Sequence, residues 1–185
     1  MNEKSILGFQ GKYSFLSNFW EVRIYLEGQD EPYSSVENAY QAQKTTNPKL
    51  REIIRKCSAE EAKTLGQNII IRPDWNNELR ITTMRELLSQ KFSCHNVELV
   101  QRLLATGDAK LVESNNWGDT FFGICDGKGA NHLGELLMEV RSTLISEKNI
   151  ILNFLADNAS SKEIAKHFGI SESMLHCKQQ AYNIL

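Results

Sequence analysis

In the stretch Ser34-Ser-Val-Glu-Asn-Ala-Tyr-Gln-Ala-Gln-Lys44, four polar residues recur at helical spacing. Counting from Glu37, Tyr40 is at i+3, Gln41 at i+4 and Lys44 at i+7. On a helix these share one face about two turns long. A carboxylate, a phenol, an amide and an amine together make a poor core stripe. They suit proton transfer, hydrogen bonding and nucleophilic attack by the amine. Each end of the face also has a simpler account. Ser34-x-x-Glu37 has the form of a capping box, which needs only backbone N–H groups. Lys44 fits a solvated cation near a helix C-terminus. As a set, the four favour function over structure.

Two other stretches carry dense chemistry. Ser14-Phe-Leu-Ser-Asn-Phe-Trp20 mixes aromatic and small polar residues. Phe15 and Phe19 can stack on a flat ring that Ser17 and Asn18 hydrogen-bond; the same residues suit a core edge leading into a strand, and both readings stay open. Further on, Asn116-Trp-Gly-Asp-Thr-Phe-Phe-Gly123 is followed by Asp126-Gly-Lys-Gly-Ala-Asn131. Gly127 and Gly129 let backbone approach a ligand, Lys128 adds a positive charge, and a helix is expected just beyond Asn131. That combination makes an anion site at a helix N-terminus. It is not a Walker loop, because Gly129 follows Lys128 where Ser or Thr is required. It is not a dinucleotide fingerprint, because His132 takes the place of the third glycine. Taken alone, Gly-Lys-Gly also fits a tight turn.

The elements that position these residues are mostly helical. Trp20, Val22, Ile24 and Leu26 alternate in the period of a half-buried strand, and Gly28-Gln-Asp30 turns it into a hairpin. A helix runs from Ser34-Ser35 to about Lys44. Asn47-Pro48 opens the next, with Leu50, Ile53 and Ile54 at helical spacing. Ser58-Ala-Glu-Glu61 caps a third, which ends near Gly66. Asn77 to about Phe92 carries Leu79, Thr83, Leu87 and Leu88 on one stripe. Asn96 caps a helix that ends at Gly107. Gly118–Gly129 reads as loop, and a helix follows from about Ala130 to Leu144.

From Ser146 the pattern changes. Ile150, Ile151, Phe154 and Leu155 form one amphipathic helix, Ser160-Ser-Lys-Glu163 caps a second, and Gly169 turns into a third. Helix, turn and helix resemble a helix-turn-helix unit. This tail holds four lysines against four acids and no arginine. A reader of DNA needs an excess of positive charge for phosphate contacts. Packing or contact with a protein partner is therefore favoured over DNA binding.

At 185 residues the chain suits one ordinary domain with a small appendage. With 41% hydrophobic and 24% charged residues it is globular rather than disordered. A net charge of -2 provides no global field for nucleic acid. Apolar runs are too short to span a bilayer, and Met1–Ile6 shows no signal peptide. Cys57, Cys94, Cys125 and Cys177 are scattered, which suits free thiols in a reducing cytoplasm. Cys94–His95 and His176–Cys177 are adjacent pairs, and neighbouring side chains seldom reach one ion. Neither a metal nor a cofactor is expected.

The motifs together resemble the NADAR superfamily. The resemblance is carried by "YSFLSNF" at Tyr13–Phe19, "YSSVENAYQAQK" at Tyr33–Lys44 and "DWN" at Asp74–Asn76. It continues through "KF" at Lys91–Phe92, "LLATGDAKLVESNNWGDTFFG" at Leu103–Gly123 and "GKGANHLGELLMEVR" at Gly127–Arg141. It covers about residues 9 to 145 and leaves out the tail. It implies a mainly α (α+β) domain over 1–145, with a short N-terminal β-hairpin and residues 146–185 as an accessory helical tail. It also implies an N-glycosidase that cleaves between ribose C1 and a nitrogen. The substrates it implies are phosphoribosylamino-pyrimidines of riboflavin synthesis or ADP-ribose on guanine. Glu37, Lys44 and Asp119 are the implied catalytic residues, with Trp75 and Trp117 lining the site. Two positions depart from the pattern: Asn38 stands where His is usual, and Phe122 where many members have Trp.

The chemistry suits these residue types. Cleavage of C1–N passes through an oxocarbenium-like state, which a carboxylate stabilises. An amine such as Lys44 can instead attack C1 and form a Schiff base, provided a pocket keeps it partly neutral. The competing reading is a non-catalytic binder of ADP-ribose-like nucleotides, acting as a regulator through the tail. Retention of both Glu37 and Lys44 favours the enzyme, since binding alone needs neither together.

Overall fold

The computed structural model describes residues 5–184. Met1–Lys4, part of the segment read above for a signal peptide, lie outside the described residues. Helix dominates, as the sequence implies. The helices are α1 (Val36–Gln43), α2 (Pro48–Lys56), α3 (Ala59–Asn68), α4 (Asn77–Lys91), α5 (Val97–Leu104), α6 (His132–Ala156), α7 (Ser161–Phe168) and α8 (Glu172–Ala181). Among the described residues none is long and apolar enough to cross a membrane.

The expected hairpin forms where the alternation lies. Strand β2 (Glu21–Ile24) pairs antiparallel with β3 (Tyr33–Ser35). Ile24 and Leu26 are buried, and Trp20 and Val22 pack half-buried against the same core. Two parallel pairings join distant segments. Strand β1 (Ser5–Leu7) lies beside β4 (Lys110–Val112), and β5 (Ser114–Asn115) beside β6 (Ile124–Cys125). Strands of two or three residues are too short to show a period, so the sequence could not announce them.

Two helix starts follow their expected caps, whereas Asn96 precedes α5 without capping it and donates back to the Gln90 and Lys91 carbonyls. Asn47 accepts hydrogen bonds from the Lys49 and Leu50 N–H groups, with Pro48 in the first turn. Ser58 and Glu61 complete a capping box on α3. Helix ends depart from expectation at three places. α5 stops at Leu104, short of Gly107. α3 passes through Gly66 to Asn68, because Gly66 keeps a negative φ and a glycine stops a helix only in the left-handed conformation. α6 runs on through Ser146 to Ala156, since no glycine or proline follows Gly134 within it. The 145/146 division therefore falls inside a helix.

The tail joins the core of the main body. Ile164, Leu175, Ala181 and Tyr182 are buried in the same apolar cluster as α1, α4 and α5. Ile164 and Leu175, fully buried, contribute roughly 1.5–3 kcal/mol each. On α6, Glu147 accepts hydrogen bonds from Lys178 Nζ at 2.6 Å and from the Tyr182 hydroxyl. α7 and α8 turn at Gly169, whose φ of 64° admits glycine readily.

α4 supplies an unusual support. Lys91 is fully buried, and its ammonium donates to the Ser17 carbonyl at 2.6 Å. Burial lowers its pKa to about 7. Through this contact α4 fixes the Ser17–Asn18 backbone, which in turn meets the start of α1.

Candidate active site

The cap of α1 decides where Glu37 points. The N-cap is Ser35, not Ser34, and its side chain accepts from the Asn38 N–H at 3.1 Å. Ser34 belongs to β3. The expected capping box between Ser34 and Glu37 is therefore absent, because the helix begins one residue later. Glu37 is released from capping, and its own N–H donates to the Asn18 carbonyl at 3.0 Å. Asn38 takes the structural role instead. It is fully buried, and its amide donates to the Ile54 and Cys57 carbonyls at the end of α2, each at 2.8 Å. Asn38 thus faces α2.

Glu37 Oε1 accepts a 2.7 Å hydrogen bond from Gln41 Nε2, one turn on. Gln41 lies against Gly66 of α3, where an added Cβ would stand 1.8 Å from the Gln41 amide oxygen. Glycine here makes room for the residue that orients Glu37. Lys44, at the C-terminal end of α1, reaches the Gly66 carbonyl at 3.4 Å, with its ammonium 5.5 Å from the Tyr40 ring centre.

These side chains open into a cleft of about 1090 Å³. Ten of the residues expected at the site line it: Glu37, Lys44, Asp119, Ser17, Asn18, Phe19, Tyr40, Gln41, Trp75 and Trp117. Tyr40 holds the aromatic wall, with its ring centre 5.4 Å from both Trp75 and Phe122. Asp119 shapes the adjoining loop. Its Oδ1 accepts from the Phe121 and Phe122 N–H groups at 3.0 and 2.9 Å.

Five expected residues do not line the cleft. Phe15 is a core residue, 2% exposed, beneath the Arg102 guanidinium. Gly127 belongs to a tight hairpin turn between Cys125 and Lys128, with Asp126 and Gly127 both at positive φ. Lys128 is exposed on that turn. Gly129 lies where a Cβ would strike the Gly123 carbonyl at 2.1 Å, so its glycine answers to packing. Asn131 is buried and ties the Glu113 N–H to the Leu111 carbonyl, at 2.9 Å each. The tight-turn reading of Gly-Lys-Gly is the one the geometry shows.

Four charged residues in the cleft were not anticipated: Glu60, Lys63, Arg80 and Glu113. For Lys63 a signal existed, since Glu60, Lys63, Thr64 and Gln67 repeat the polar i, i+3, i+4, i+7 spacing seen on α1. Lys63 reaches over the Trp117 ring at 4.9 Å, and Arg80 stacks on Phe121 at 3.5 Å. Glu113 follows an apolar strand and carries no local mark.

Burial dominates the electrostatics. It raises the pKa of Glu37, against the Gln41 hydrogen bond and the ammonium groups of Lys63 and Lys44. It lowers that of Lys44, against the pull of Glu37 and with help from Arg80 and Lys63. It pushes Glu113 up to about 7, with Asp119 adding to the shift and Lys63 opposing it. Glu113 Oε2 is buried without a hydrogen-bond partner. The cleft thus combines an amine biased toward neutrality with two carboxyls biased toward protonation, beside an aromatic wall.

A chain with this helical α+β frame has parallels among known proteins. The NADAR domain family matches residues 8–145, and the chain belongs to that family. N-glycosidase YbiA of Shigella boydii is 41% identical over 143 residues, covering 74% of this chain and 84% of that protein. A riboflavin biosynthesis protein of Vibrio vulnificus is 37% identical over 139 residues, covering 71% of this chain but 36% of that longer protein. The NMR structure of Escherichia coli YbiA superimposes with a TM-score of 0.69 at 36% identity, covering 80% of this chain and 89% of that one.

The packing of Gly66 yields a direct test. Gly66→Ala displaces the Gln41 side chain, the flexible partner in the clash, and frees Glu37 Oε1. The expected outcome is a folded protein whose turnover falls at least ~10-fold, measured alongside the melting temperature. Unchanged turnover in the folded variant contradicts the positioning role of Gln41.

Proposed function

We propose that this NADAR-family hydrolase cleaves the bond between ribose C1 and a heterocycle nitrogen in phosphoribosyl-linked pyrimidines of the riboflavin pathway. The observation that carries the reading is that Glu37 on α1 and Lys44 at its C-terminal cap line one cleft, with Gln41 orienting the carboxylate. Relatives named for N-glycosidase activity and for riboflavin biosynthesis support the reaction and the substrate class.

The heterocycle stacks on the wall formed by Tyr40, Trp75 and Phe122. The phosphate pairs with Lys63 and Arg80 in the cleft rather than with the Gly127–Gly129 turn. Lys44, its charge disfavoured by burial, attacks C1 as the free amine. As the C1–N bond breaks, the leaving nitrogen takes the proton of Glu113, whose unpartnered Oε2 has a donor's protonation state below about pH 7. The resulting glycosylamine opens as a proton of the attached lysine nitrogen passes to the ring oxygen, giving an iminium. Water hydrolyses this to the free sugar and the lysine ammonium, whose extra proton returns to Glu113. Glu37 stabilises the positive charge on the sugar and orients that water. Asp119 keeps the Phe121–Phe122 backbone in place beside the base.

Two variants test these roles. Glu37→Gln keeps the shape of the residue but removes its charge, and turnover should fall about 10²–10⁴-fold. The measurement is release of free pyrimidine and ribose phosphate, run beside ADP-ribosylated guanine. Wild-type-like rates in the folded variant exclude the role of Glu37, and preference for the guanine conjugate overturns the substrate class. For Glu113 the readout is the pH profile. In the wild type, kcat should fall as pH rises above about 7, where Glu113 loses its proton. Glu113→Gln should remove that alkaline limb and lower kcat by about 10²-fold or more. An alkaline limb that persists assigns the proton to another group.

A further inference from the structure

Away from the cleft, the fold gathers a set of soft donors that the chemistry above does not use. Cys94 and His95 lie in the turn between α4 and α5, and Cys177 lies on α8. Cys177 Sγ is 3.8 Å from His95 Nδ1, and Cys94 Sγ is 3.5 Å from Met174 Sδ. The two thiol sulfurs and an imidazole nitrogen all lie within 4.8 Å of one another. As sequence neighbours, Cys94 and His95 read as pointing apart. The tight turn there, with Ser93 N–H on the Gln90 carbonyl and Asn96 N–H on that of Ser93, brings both to α8.

We propose that Cys94, His95 and Cys177 form a binding site for a soft cation, Zn²⁺ or Cu⁺, with the Met174 thioether adjoining as a fourth donor. The donor types select such ions over hard ones. Tetrahedral coordination at about 2.0–2.3 Å from the metal sets donor–donor edges of roughly 3.5–3.8 Å. The Cys177–His95 pair already stands at that edge, and the whole set needs only a small contraction. The cysteines are free thiols. Exposure is graded, with His95 open to solvent, Cys177 half-buried and Cys94 buried, which provides an entry path. Binding exchanges two thiol protons for the cation. Because the ligands come from the α4–α5 turn and from α8, the ion staples the tail to the body and stabilises the folded chain.

The test uses the full-length protein, reduced and stripped of metal, titrated with Co²⁺ as the optical probe. Thiolate-to-cobalt charge-transfer absorption should grow and saturate at one equivalent. Added Zn²⁺ should bleach it and raise the melting temperature. Cys177→Ser, at a half-buried position, and His95→Ala, at an exposed one, should bind at least ~10-fold more weakly while N-glycosidase turnover stays unchanged. Circular dichroism checks that both variants fold. The proposal is overturned by a wild type without the charge-transfer band, or by a band that saturates in Cys177→Ser at the same cobalt concentration as in the wild type. It is also overturned if air produces a Cys94–Cys177 disulfide while the reduced protein takes no cation.

Discussion

The burial of α1 constrains the rest of the structure. Every residue from Val36 to Ala42 is buried, although three of the seven are Glu, Asn and Gln. A helix placed there must satisfy its polar side chains internally, and an unsatisfied buried group costs about 1–3 kcal/mol. Asn38 meets the demand on one side by holding the Ile54 and Cys57 carbonyls at the end of α2. Gln41 meets it in part on the other by donating to Glu37, while its own Oε1 and the Tyr40 hydroxyl are left without a partner among the described residues, on side chains that line the cleft. The two faces of one short helix therefore divide the work. One locks α1 to α2, and the other presents a carboxylate and an amine to the cleft. Supports further out serve the same end: Lys91 fixes the Ser17 carbonyl, the adjoining Asn18 carbonyl receives the Glu37 N–H, and Gly66 admits Gln41.

Much of this was legible in the chain. The i, i+3, i+4, i+7 polar face on α1 is a local pattern, and local patterns survive folding when the helix itself is well capped. The hairpin at Trp20–Leu26 and the caps at Asn47 and Ser58 were readable for the same reason. What was not readable depended on tertiary placement. Ser34 and Ser35 offer two equivalent registers for a cap, and only the demand that Asn38 reach α2 selects the second. Phe15 and Phe19 look alike in sequence, yet one is packed under Arg102 and the other lines the cleft. Gly127 and Gly129 suited an anion site by type, but tertiary placement sets Gly127 in a two-residue hairpin and Gly129 against the Gly123 carbonyl, outside the cleft. Glu113 gains its raised pKa only from burial beside Asp119, which no spacing reveals.

The tail shows how continuity and packing modify a reading based on motif coverage. Family resemblance ends near Ile145, but α6 does not, and Glu147 just beyond that point gathers Lys178 and Tyr182. None of the residues lining the cleft lies beyond Leu133. The tail thus bears on the body through the α5 and α8 contact and the cluster around Cys94, at a distance from the proposed chemistry.

The central claim is that the Lys44 amine, its charge disfavoured by burial, bonds to the sugar during turnover. Borohydride added to the reacting enzyme reduces an imine to a stable amine. The account predicts a sugar adduct that peptide mass spectrometry maps to Lys44 and that is missing in Lys44→Arg, which keeps the charge but offers no neutral amine. Robust turnover with no adduct, or an adduct carried by Lys63, Lys91 or Lys128 instead, would contradict it.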